Sequence, residues 1–143
     1  MKFEKIESKQ EIYQTLMSFN YCFPHLTEKI NNLEEYSEKL YRYSNFYVLK
    51  IEGDVVGMVS FYSNDLTDFR GYISLIGVHQ KYQKMGLGRI LIESTSEVMK
   101  KHLMRYVRIE VDKDNRNAQA FYSHLGFVEA ESKEDSFYME KAL

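Results

Sequence analysis

The run Tyr72-Ile73-Ser74-Leu75-Ile76-Gly77-Val78 is rich in β-forming residues and leads, after a short polar gap, into Gln83-Lys84-Met85-Gly86-Leu87-Gly88-Arg89. From there Leu87, Leu91 and Val98 recur at helical spacing, with Ile90 beside them, so a helix is expected to about residue 101. A strand passing through a glycine turn into an amphipathic helix commits the chain to a sheet with helices packed on it. The turn also has a chemistry. Glycines two apart let the backbone approach an anion closely, and the N–H groups that begin the next helix have no internal partner and point outward. Lys84 and Arg89 add positive charge at the same place. Alone, Gly-x-Gly before a helix is equally a plain tight turn.

The remaining segments supply a sheet and its cover. Residues 3–6 read as a short strand and 11–19 as a helix; Thr27 offers a cap for a second helix to about residue 43. Residues 46–51 and 55–62 flank Glu52-Gly53-Asp54, a hairpin pattern with glycine at the turn. In the strand at 106–111, Val107, Ile109 and Val111 fall on one face and Tyr106, Arg108 and Glu110 on the other. Asp114 or Asn115 caps a helix carrying Ala118, Phe121, Tyr122 and Leu125 at i, i+3, i+4 and i+7, and Gly126 is placed to end it. Residues 127–130 and 137–141 close the sheet as an antiparallel pair. The order β-α-α-β-β-β-α-β-α-β-β predicts an α/β fold with a mixed sheet and helices on its faces.

With no repeat or Gly/Ser/Pro linker in its 143 residues, the chain reads as one domain, residues 1–143. A net charge of -2 gives no global field to recruit nucleic acid or an anionic membrane. No uncharged apolar run reaches transmembrane length and the first residues lack a signal-peptide core, so a cytoplasmic location is expected. The single cysteine, Cys22, fits a reducing compartment and reads as a small buried residue. It lies far in sequence from both the glycine turn and the 115–127 segment, which argues against a covalent intermediate on it. The histidines His25, His79, His102 and His124 show no metal-ligand spacing, and no metal site is expected. The 12 tyrosines suggest an aromatic pocket or a sheet-rich core, the core being the simpler assignment.

Two motifs together resemble a family. Gln83-Lys84-Met85-Gly86-Leu87-Gly88 is similar to the Gln/Arg-x-x-Gly-x-Gly/Ala pyrophosphate signature of the GNAT superfamily of acyl-CoA-dependent N-acyltransferases. Asn115-x-x-Ala118-x-x-Phe121-Tyr122-x-x-Leu125-Gly126-Phe127 is similar to its second signature. The resemblance implies a sheet whose fourth and fifth strands splay apart, with acetyl-CoA wedged between them. It implies that Ile76, Gly77 and Val78 pair with the pantetheine arm, that Gln83, Lys84, Met85, Gly86, Leu87, Gly88 and Arg89 bind the pyrophosphate, and that Asn115 and Phe121 line the cofactor's other side. It also implies that Tyr122 is the general acid. Dimers are common in the family, and the final hairpin offers an edge for one.

Acyl transfer to an amine needs a neutral nitrogen, a stabilised oxyanion and a proton for the leaving thiolate. An alkyl amine has a pKa of roughly 10 and arrives protonated near neutrality, so a base is useful. Glu110 is the candidate, on the non-core face of its strand and at the spacing that some family members use for a catalytic glutamate. Its other reading is a solvated carboxylate paired with Arg108 or a lysine. The preceding strand, Gly71-Tyr72-Ile73-Ser74, supplies no carboxylate, and a base acting through water stays open. Tyr122 could instead pack its ring in the core, but Phe121 is expected to fill that position. The oxyanion donor would be a backbone N–H near Val78, and Asn115 can cap its helix and serve the cofactor at once.

The expected function is acetyl transfer from acetyl-CoA to a primary amine by direct attack in a ternary complex. The acceptor is a small amine or aminosugar, or alternatively a protein N-terminus or lysine, and segments 19–27, 63–70 and 131–137 are expected to shape its pocket, His25 among them. Their aromatic and acidic residues suit a cationic or polar amine. A reading from a different class is a non-catalytic CoA-binding sensor, against which stand Glu110 and Tyr122. A general nucleotide-binding module lacks its longer glycine fingerprint.

Overall fold

The computed structural model describes residues 1–24, 26 and 31–143. Strand β1 (Lys2–Lys5) is followed by helix α1 (Lys9–Ser18), a 3-10 turn (Asn20–Cys22) and helix α2 (Leu33–Tyr43). Then come β2 (Asn45–Ile51), β3 (Asp54–Tyr62), β4 (Arg70–Val78), a second 3-10 turn (Gln80–Tyr82), α3 (Leu87–Lys101), β5 (Tyr106–Asp112), α4 (Arg116–His124), β6 (Val128–Ser132) and β7 (Ser136–Ala142). Among the described residues the element order is the one expected from the sequence.

Local chemistry sets the boundaries. The Ser8 hydroxyl accepts from the Glu11 N–H at 3.3 Å and starts α1; Asn32 Oδ1 accepts from the Glu35 N–H at 3.1 Å and starts α2. The cap expected at Thr27 lies outside the described residues, as does His25. Between β2 and β3 the two turn residues Glu52 and Gly53 have φ of 51° and 86°, the left-handed pair that a two-residue hairpin needs.

The 7-stranded sheet has the order β1-β2-β3-β4-β5-β7-β6 and is antiparallel except at β4–β5. Each face carries its own core. On one side α3 and α4 bury Leu87, Leu91, Met99 and Tyr122 against Val59, Ile73, Val107 and Ile109. On the other, α1 and α2 bury Ile12, Leu16, Phe19 and Leu40 against Phe46, Val48 and Met58. Val107, Ile109 and Val111 point into the first core, as the alternation of β5 predicts.

The seam between the parallel strands is short. Residues 70–73 of β4 pair with 106–109 of β5 and no further. Beyond that point β4 continues to Val78 against β3 alone, and β5 continues to Asp112 against β7 alone. The separation begins at a β-bulge: Leu75 faces Ser60 and Ile73 faces Phe61, leaving Ser74 as the extra residue. Its hydroxyl donates to the Ser60 carbonyl at 3.1 Å, which fixes the bulge. An inserted residue bends its strand and increases the local twist, and here it turns β4 away from β5.

Candidate active site

The gap between the separated strands is a cleft of about 750 Å³. Ser74, Leu75 and Ile76 form one wall and Glu110, Val111 and Asp112 the other; Asn115, Ala118 and Tyr122 of α4 close one side and Cys22, Phe23 and Pro24 the opposite side. The cleft therefore unites the end of β4 and residues of the second motif with Glu110. A second hollow of about 650 Å³ near Ser63 and His102 contains none of them.

At the end of β4 the backbone approaches its neighbours closely. A side chain at Gly77 would place its Cβ 3.2 Å from Cys22 Sγ and 3.3 Å from Phe23 Cζ. Gln83 Nε2 donates to the Val78 carbonyl at 3.3 Å, tying the start of the glycine turn to the end of the strand. In the turn, Lys84 has φ of 67° and Gly86 has φ of 78°. The left-handed Gly86 caps α3 without any side-chain bond, so the first-turn N–H groups of Leu87, Gly88 and Arg89 face outward. This is a cradle of backbone donors at a helix start, which favours an anion.

The turn's side chains divide. Leu87 is buried in the core, so only its backbone faces the turn's exterior, whereas Lys84, Met85 and Arg89 are exposed. Arg89 shares its charge with Glu93 at 3.7 Å on the same helix. None of Lys84 to Arg89 lines the cleft itself. The contact between turn and α4 is made by Phe121, whose ring would sit 2.9 Å from a Cβ at Gly88. Asn115 Oδ1 accepts from the Ala118 N–H at 3.1 Å, so it is the cap of α4 as well as a lining residue of the cleft.

Phe121 and Tyr122 exchange the places expected of them. Phe121 is 37% exposed and Tyr122 only 7% exposed. The Tyr122 ring packs edge-on against Phe121 and Phe127 at 5.2 and 5.4 Å, yet it also lines the cleft. Core packing and access to the cleft thus coexist in one residue. Burial pushes its phenol up to about 12, so it is protonated at any ordinary pH.

Cys22 also needs correction. Fifty-six positions before Val78 in the chain, its thiol lies against Gly77 and points at the Val78 carbonyl, 3.7 Å away. It is half-buried rather than a core residue, and burial raises its pKa. A thiol held protonated in this way is a weak nucleophile.

Glu110 accepts a hydrogen bond from the buried Ser136 hydroxyl at 2.5 Å and pairs with Lys133 at 3.5 Å. Arg108 pairs with Glu140 and Glu131 instead. Of the tyrosines, only Tyr122 is buried. Tyr36, Tyr47 and Tyr82 pack half-buried against the two cores, whereas Tyr72 lines the cleft. Tyr62 and Tyr72 face each other across β3 and β4, and Tyr72 meets Tyr138 edge-on at 6.4 Å. Burial raises the Tyr72 phenol, with the Glu110 carboxylate adding to it; burial also raises Tyr36, to about 12, with Tyr62 and Tyr72 contributing. No sequence spacing links these rings, because they come from α2, β3, β4 and β7 and only the fold brings them together.

A splayed pair of strands, a left-handed glycine at a helix start and an asparagine-capped α4 are what the two signatures led us to expect, and comparison with known proteins agrees. The model of the acetyltransferase (GNAT) family matches residues 9–127. The chain belongs to the GNAT family. It is an acyltransferase. It is 30% identical over 103 residues to N-alpha-acetyltransferase 30 of Schizosaccharomyces pombe, covering 66% of this chain and 68% of that protein. Among solved structures, the PaiA N-acetyltransferase of Thermoplasma acidophilum in complex with coenzyme A has a TM-score of 0.76 at 17% identity, over 100% of both chains. The ribosomal-protein-S18-alanine N-acetyltransferase of Escherichia coli has a TM-score of 0.75 at 20% identity, over 99% of this chain and 92% of that one. These likenesses show the GNAT fold.

Among the described residues, no group of three or more His, Cys, Asp and Glu side chains could hold a metal ion, and no helix is long and apolar enough to cross a membrane.

Proposed function

We propose that this GNAT protein transfers an acetyl group from acetyl-CoA to a primary amine by direct attack in a ternary complex. The observation that carries the reading is the cleft opened by the Ser74 bulge, because Glu110 on one wall and Tyr122 on another flank the same space. The pantetheine arm would lie along Ile76, Gly77 and Val78, and the pyrophosphate would sit on the backbone donors of residues 83–89. Asn115 and Phe121 would border the cofactor from α4.

In this reading Glu110 takes the proton from the incoming ammonium. Tyr122 donates toward the sulfur as the thiolate leaves. A phenol near 12 is a poor acid toward an ordinary thiol of about 8.5. The mismatch is smaller inside the cleft, since burial that raises Tyr122 also raises the Cys22 thiol lining the same space and would raise the leaving thiolate too. Tyr122 then acts by a hydrogen bond that strengthens as charge develops on sulfur.

The acidic and aromatic surroundings of Glu110 suit a cationic acceptor, a small amine or aminosugar. A protein N-terminus is a second reading, favoured by the similarity to N-alpha-acetyltransferase 30. Calorimetry with acetyl-CoA tests the donor, with ATP as control: absence of acetyl-CoA binding at millimolar ligand would sink the proposal. Release of free thiol with small amines, aminosugars and peptides bearing free N-termini then separates the two acceptors. Binding without thiol release on any amine would leave a CoA-binding module in place of an enzyme.

A further inference from the structure

Against Glu110, the proposed base, the chain holds an ammonium group of its own. Lys133 Nζ lies 3.5 Å from Glu110 Oε2 and 4.7 Å from the centre of the Tyr138 ring. Glu110 and Tyr138 are opposite residues on β5 and β7, so carboxylate and aromatic face stand side by side on one surface of the sheet. A carboxylate beside an aromatic ring is a general recognition site for an alkylammonium, since the ring's quadrupole and the anion attract the same cation. The Lys133 amine is held above its ordinary value, first by its contact with Tyr138 and then by Glu110, so it stays charged.

The lysine is presented by a turn that is itself fastened. Its N–H donates to the Ser136 carbonyl at 2.8 Å, and its carbonyl accepts from Lys113 Nζ at 2.5 Å. The Lys113 N–H in turn donates to the Asp135 carbonyl at 2.9 Å. The backbone is thus fastened while the side chain is 49% exposed. Nothing in the packing of the core depends on it.

We propose that Glu110 and Tyr138 form the subsite for the acceptor's ammonium group, and that Lys133 occupies it as a built-in competitor which an alkylammonium acceptor must displace. The inference rests on the acetyl-transfer reading above and adds to it. It makes the acceptor an unbranched primary ammonium on an alkyl stem, and it makes Lys133 a determinant of acceptor affinity rather than of the reaction.

The test compares acetyl transfer to n-propylamine, which matches the three carbons and ammonium that Lys133→Ala removes. Lys133→Ala and Lys133→Met should each lower KM for n-propylamine at least about fivefold, with kcat and acetyl-CoA affinity within about twofold of wild type. Lys133→Arg keeps a cation and should keep the wild-type KM. An unchanged or raised KM in both neutral variants would overturn the proposal, as would absence of n-propylamine acetylation in all four proteins when each binds acetyl-CoA. Failure of the wild type to bind acetyl-CoA would remove the acetyl-transfer reading as well, so the two failures are told apart by the calorimetric measurement alone.

Discussion

The two halves of the sheet are built differently. From β1 to β4 both faces are covered, by α1 and α2 on one side and α3 on the other, and the inward residues are almost wholly apolar. In β5 and β7 one face rests on the core and β6 is exposed throughout, while the other face carries Arg108, Glu110, Glu131, Lys133 and Glu140 in ion pairs. The first half is held by burial, which is non-directional and tolerates little loss of volume. The open face of the second is held by partly exposed charges, each worth little to stability. The cleft lies where the halves meet, with one wall from the doubly covered half and the other from the charged one.

If that division is right, stability and activity should respond to different substitutions. Leu91→Ala, in the doubly covered half, removes a side chain with no exposure and should cost about 3 kcal/mol in denaturant unfolding, leaving the KM for acetyl-CoA within about twofold. Tyr122→Phe should lower kcat about a hundredfold with acetyl-CoA affinity nearly unchanged, measured by thiol release and calorimetry. An unchanged rate would remove Tyr122 from the mechanism and blur the comparison, since it would leave a purely structural tyrosine at the junction.

The same residue makes a prediction in pH. Its folded pKa, about 12, stands above the ordinary phenol value of 10.0, so its contribution to stability is complete below pH 10 and disappears as pH rises toward 12. Wild type should lose roughly 2–3 kcal/mol across that window through Tyr122, and Tyr122→Phe should lose less by about that amount. Glu110→Gln, on the charged wall, should reduce kcat/KM for amines by about tenfold or more while the midpoint of urea unfolding moves little. Smallest is Asn115→Ala, which removes the cap of α4 and should cost about 1 kcal/mol.

The sequence and the structure agree best where local chemistry decides. The glycines at 53, 86 and 126 all take positive φ, and the caps at Asn115 and the alternation of β5 are as read from their residues. Agreement fails where rotation or register decides. Phe121 and Tyr122 both fit the apolar helical pattern, and only the docking of α4 selects which is buried. Cys22 reaches Gly77 through a path across the sheet that no spacing encodes. The Ser74 bulge sits in a run of β-forming residues whose composition does not mark an extra residue, although its position determines where the strands part.

The short parallel seam also sets a pattern in time. Beyond residue 73, the amides of β4 that face away from β3 have no strand to bind them, and those at the start of α3 have no carbonyl before them. Such groups trade their hydrogens with solvent quickly, while those on the β3 side stay protected. An occupant of the cleft that pairs with this edge would slow alternate amides along residues 74–78 and leave their neighbours unchanged. Deuterium uptake would therefore record, every second residue, which face of one strand a bound molecule touches.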